Sequence, residues 1–143
     1  MIHTEKLEKR YLEFDGLMKT CLPKVDTHLI LDILHRLAED KNPMYTLEIF
    51  LNKKPDVEEL RNKISNDLAV MPAFFDGGTH VVIAHRIDLK MLEYFSSDEN
   101  VYRIRGTYTG HGLGASIGPV FERDDPEETW ADYDRTHSQI STT

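Results

Sequence analysis

Arg103 and Arg105 stand two residues apart, and the run Gly110-His111-Gly112-Leu113-Gly114-Ala115-Ser116-Ile117-Gly118-Pro119 follows shortly after them. On a strand, that spacing sends both guanidinium groups off one face, about 7 Å apart. A guanidinium offers paired donors to a carboxylate or phosphate, and successive N–H groups of a glycine-rich loop form a nest for an anion. Gly112 and Gly114 allow close backbone approach, and His111 adds a polar contact. The run lacks the Gly-Lys-Ser/Thr ending of a phosphate-binding loop. Its nearest approach to G-x-G-x-x-G is GHGLGA, with alanine in the last place. The simpler reading is a connection to the C-terminal segment.

Other residues could join such a site. His80 and Arg86 share a parity on one strand, so an open sheet face is expected to gather Glu48, Phe50, His80, Arg86, Arg103 and Arg105. That surface suits an anionic small molecule or a second subunit. Charged residues alternating along a strand are otherwise simply its wet side. His28, Asp32, His35 and Glu39 fall 4, 3 and 4 apart, on one helical face, and imidazole with carboxylate can hold a divalent ion. They are also the polar face that any amphipathic helix has, and no metal or other cofactor is expected. His80 and His85, five apart on a strand, point to opposite faces and cannot share a metal; His85 reads as a core histidine. The single cysteine, Cys21, excludes an intramolecular disulfide and an all-cysteine metal cage. With no assignable base it reads as a small buried hydrophobe.

The elements that must position these groups follow from periodicity and turn chemistry. Leu7, Tyr11, Phe14, Met18 and Cys21 step by 4, 3, 4 and 3, a helical stripe too apolar to stay wet. Pro23 ends that helix, and Asp26 caps a second one carrying Leu29, Ile30, Ile33, Leu34 and Leu37. From Met44 the period becomes two: Tyr45, Leu47, Ile49 and Leu51 alternate with Thr46, Glu48 and Phe50, a strand with one buried face. Asp56 caps a third helix. A strand over Val70–Phe75 precedes the positive-φ turn Asp76-Gly77-Gly78, and Thr79–Ile87 forms the next. Asp88 caps a short helix, and Val101–Thr109 is the last strand, with Tyr102, Ile104, Gly106 and Tyr108 on one face.

The order β-α-β-β-α-β is that of the split βαβ, ferredoxin-like arrangement, an α+β fold with a four-stranded antiparallel sheet. Pro72 places the second strand at an edge, where a missing N–H is tolerated. The chain then divides into an N-terminal helical hairpin (1–42), a ferredoxin-like domain with its glycine-rich extension (43–121) and an acidic tail (122–143) read as poorly ordered. Trp130 and Tyr133 are the tail's only large apolar side chains and are expected to dock on the body.

Composition limits the function. Of 143 residues, 40% are apolar and 29% charged, which is globular composition. The net charge of −8 argues against a nucleic-acid binder, since phosphate contact needs clustered positive charge. No apolar run approaches membrane-spanning length, and the charged start MIHTEKLEKR is not a secretory signal, so a cytoplasmic protein is expected. No Ser/His/Asp set or carboxylate pair stands out. The expected function is therefore non-enzymatic: binding of a small ligand or a protein partner, with a homodimer through the sheet or the helical stripe as one form. The alternative is a small enzyme acting on an anionic substrate between the open face and the glycine run, using His80, His111 and the arginines.

Overall fold

The computed structural model describes residues 2–39 and 43–110. The glycine run from His111 onward, the acidic tail, Trp130 and Tyr133 lie outside the described residues. Two helices, α1 (Ile2–Cys21) and α2 (Thr27–Leu37), precede strand β1 (Met44–Leu51). Helix α3 (Val57–Leu68), β2 (Ala73–Phe75), a 3₁₀ turn (Asp76–Gly78), β3 (His80–Arg86), α4 (Leu89–Ser96) and β4 (Val101–Gly110) follow. The described chain is α+β, with four helices and one antiparallel four-stranded sheet in the order β2-β3-β1-β4. None of the described helices is long and apolar enough to cross a membrane.

Local chemistry explains the boundaries. Asp26, Asp56 and Asp88 each cap a helix, accepting from the backbone N–H of His28, Glu59 and Met91; such a cap contributes about 1 kcal/mol. Pairing of β2 begins at Ala73, opposite Val82, so the strand is shorter than the 70–75 expected. Pro72 stands just before it and has no N–H to give a ladder. The strand does lie at the sheet edge. Asp76, Gly77 and Gly78 take φ of 54°, 71° and 98°, the left-handed values that let the chain reverse into β3.

Tyr45, Leu47, Ile49 and Leu51 of β1, Val81 and Ile83 of β3 and Ile104 of β4 form one buried face with Leu29, Ile30 and Ile33 of α2, Ile64 of α3 and Leu92 and Phe95 of α4. Helix α2 lies so close over β4 that a Cβ on Gly106 would stand 2.9 Å from a Leu29 methyl. Residues 24–26 run along the outer edge of β4, where the Ile104 N–H donates to Lys24 O and its carbonyl accepts from Asp26 N, each at 2.9 Å. That exposed edge is thereby covered at its middle.

Four further expectations change. Both faces of β1 are buried, not one: Thr46, Glu48 and Phe50 are as enclosed as their apolar neighbours. Tyr102 leaves the face of Ile104. Arg103 pairs with Phe50 and Val101 with Leu51, so Tyr102 is the extra residue of a bulge, its ring 6.2 Å from Phe50. The α1 stripe is not buried along its length. Met18 is enclosed and Phe14 half-buried, whereas Leu7 is 69% and Tyr11 51% exposed. Cys21 is exposed rather than buried, because Leu22, one residue on, is the side chain that enters the core as the chain turns at Pro23.

Candidate functional site

The second face of the sheet holds the polar cluster. Alternation along β1 sends Glu48 and Phe50 away from the helices, and the antiparallel register sets Phe50 against His80 and Glu48 against Val82. Glu48 and His80 are 0% and 2% exposed, and the His80 Nε2 stands 2.8 Å from Glu48 Oε1. A carboxylate with no water must be paired, and the imidazole supplies that pairing. On its other side the ring places Nδ1 3.4 Å from Asp76 Oδ2, on the turn before β3. Phe50 stacks on the ring at 4.4 Å, and Phe75 tilts against it at 6.1 Å. Both ring nitrogens thus face carboxylate oxygens, and the arrangement holds the imidazole in place.

The register also sorts the arginines. Arg103 is the β4 partner of Phe50, so His80, Phe50 and Arg103 form one row across three strands; Val82, Glu48 and Arg105 form the next. Both arginines are half-buried and, like Glu48, engaged in further interactions. Arg86 stands apart: it pairs with Met44, six residues and about 20 Å along β3 from His80. His111, Gly112 and Gly114 lie outside the described residues.

The polar face expected on α2 divides. His28, His35 and Glu39 are exposed, but Asp32 turns toward the sheet, accepting from the Tyr45 hydroxyl at 2.5 Å and from Arg36 Nε at 3.2 Å. The Arg36 guanidinium lies 3.4 Å over the Tyr108 ring, which meets Tyr45 edge-on. Burial pushes the Tyr45 hydroxyl pKa above its usual range, and the hydrogen bond to Asp32 adds to the rise. No three His, Cys, Asp or Glu side chains gather as a metal site among the described residues. The signal missed in the sequence was Tyr45 itself, since a tyrosine on a buried strand face needs a partner for its hydroxyl. His85, expected in the core, is half-buried.

Between α3 and α4 runs a groove of about 370 Å³, floored by Leu60, Ile64 and Phe95 and rimmed by Lys63, Asp98 and Glu99. It contains none of the residues singled out from the sequence. The larger unexplained feature is α1: Leu7, Tyr11, Leu12 and Leu17 are each more than half exposed. No known protein family matches the chain, nor does any curated protein or solved structure.

Proposed function

We propose that this protein is a non-enzymatic interaction domain that docks a protein partner through α1. The observation that carries the reading is the solvent exposure of Leu7, Tyr11, Leu12 and Leu17 on one helix joined to the body only near its C-terminal end. Leu7, Tyr11 and Leu17 fall on one side of the helix and Leu12 on the other, and large apolar side chains gathered on one open side favour an interaction site. The engagement of both His80 nitrogens supports the non-enzymatic half of the reading. We read the element order as the ferredoxin-like split βαβ, an architecture that hosts many unrelated functions, so the proposal stands on α1 rather than on the fold.

A photo-crosslinking residue placed at Leu7 or Leu17, with the exposed Lys90 of α4 as control, tests it in the native host. Crosslinked protein is expected from the α1 positions and not from Lys90; equal or absent crosslinking at all three overturns the reading. An anionic ligand near Arg103 and Arg105 is the second reading, favoured by their adjacent rows on one sheet face. Calorimetric phosphate binding that disappears in Arg103→Ala would support it.

A further inference from the structure

We propose that the C-terminal segment of this chain, residues 111–143, lies across the second face of the sheet with its carboxylates on Arg103 and Arg105. The second face of an antiparallel sheet is ordinarily wet. Here Thr46, Glu48, Phe50, His80 and Val82 are all enclosed, none more than 4% exposed. The helices do not enclose them: Met18, Leu29, Ile64 and Leu92 gather on the opposite face, in a core that includes neither Phe50 nor Val82. Phe75 and the turn at Asp76 close the second face at the His80 end only. Strand neighbours alone leave such a face open, because side chains stand roughly perpendicular to a sheet and flank one another. The cover is also narrow. Ala84 and Arg86, further along β3 on the same face, are exposed. A second sheet or a flat protein surface would close over those positions too, whereas one length of chain crossing β4 and β1 leaves them open.

The segment starts beside this face. Gly110 pairs with Met44 at the end of β4 and takes φ of 73°, a left-handed value that ends the extended course of the strand. Arg105 and Arg103 stand five and seven residues back along β4, about 17 and 24 Å away. Eleven residues, His111 to Phe121, lead to the first acid, Glu122, and reach up to about 37 Å. Five acids then fall between Glu122 and Glu128, with Arg123 the one base among them. That charge answers the face. On the described strands Glu48 is its acid, and with Asp76 it stands against His80, while Arg103 and Arg105 carry the opposite charge half-buried. A guanidinium takes a carboxylate in two parallel hydrogen bonds, and a short tether sets the effective concentration of the segment near millimolar. Phe121, next to the acids, brings an apolar ring for Phe50 and Val82. Free phosphate then meets these arginines only by displacing the segment.

Carbodiimide joins an amine to a carboxylate only where the two touch. Arg103→Lys and Arg105→Lys, made separately in the full chain, keep the charge and turn each proposed pair into one that can be trapped. Each variant is read where its melting curve matches the parent's. The amine at either position is expected to capture a carboxylate of residues 122–134, and the exposed Lys90 of α4, as control, none of them. Raising the salt from about 0.05 to 1 M should reduce the yield severalfold. Phe121→Ser should reduce it about tenfold, through the lost apolar contact. Mixing chains of light and heavy nitrogen identifies the source, since capture by the chain's own segment stays within one isotope. Equal capture at Lys90, or no capture of the segment at either substituted position, overturns the proposal. Crosslinks that join light to heavy chains overturn the chain's own segment as the occupant. A yield unchanged in Phe121→Ser overturns its seating over Phe50 and Val82. None of these outcomes bears on α1, whose exposure is independent of this face.

Discussion

Helices α1 and α2 both carry apolar stripes, that of α2 far the more one-sided, and the fold treats them oppositely. Leu29, Ile30 and Ile33 of α2 are sealed against the sheet, while Leu7 and Tyr11 of α1 stand in solvent. Periodicity identifies the apolar side of a helix; the path of the chain decides whether anything covers it. Residues 24–26 are held along the edge of β4, which lays α2 over the core face. The turn at Leu22–Pro23 lets only the last turns of α1 reach the body, so the rest of its stripe is available to a partner. The body should therefore respond to substitution through stability, and the overhang through association.

The largest effect is expected at Glu48. Glu48→Ala leaves His80 without its buried partner and should cost about 3–5 kcal/mol in urea denaturation. A loss below 1 kcal/mol would show that water reaches this face and that the two faces of β1 are not alike. Within the α1 stripe, Met18→Ala should cost about 2–5 kcal/mol, as for a buried methionine. If Met18→Ala and Leu7→Ala destabilise the monomer equally, the division of the stripe is wrong.

A smaller effect follows from Tyr45, under α2. Its hydroxyl keeps its proton to higher pH in the folded chain than in the unfolded one, where tyrosine titrates near 10.0. The unfolded state then binds fewer protons as pH rises, so this contribution to stability is complete below pH 10 and declines above it. Denaturation midpoints between about pH 9 and pH 11 should fall, and fall less steeply in Tyr45→Phe. An identical slope in the variant would remove Tyr45 as a source; Tyr94, raised in the same direction by burial and by its bond to Asp67, would remain one. The smallest effect is expected at the overhang: Leu7→Ala should change monomer stability by no more than about 0.5 kcal/mol. A greater loss on the dilute protein would mean that α1 folds back on its own body.

What could be read in the sequence was local. Asp26, Asp56 and Asp88 cap helices because a carboxylate can reach the N–H two or three residues ahead, whatever surrounds it. Asp76-Gly77-Gly78 turns the chain through φ values that belong to those residues themselves. The switch from a helical period to a period of two at Met44 marked β1, and Pro72 placed β2 at an edge. What only the tertiary structure decided was what lies across from each residue. Glu48 and His80 are 32 residues apart, and nothing in either neighbourhood announces that β1 and β3 pair in the register that joins them. That register also carries Arg86 away from the candidate site, and a bulge on β4 moves Tyr102 to the other face. Cys21 and Leu22 differ by one position, yet one is exposed and the other buried, because the direction of the turn after α1 rotates a single side chain inward. Caps and turns involve groups a few bonds apart, so their energies are set by the order of residues. Burial and pairing across strands depend on closing long loops, and are settled only when the whole chain has found one arrangement.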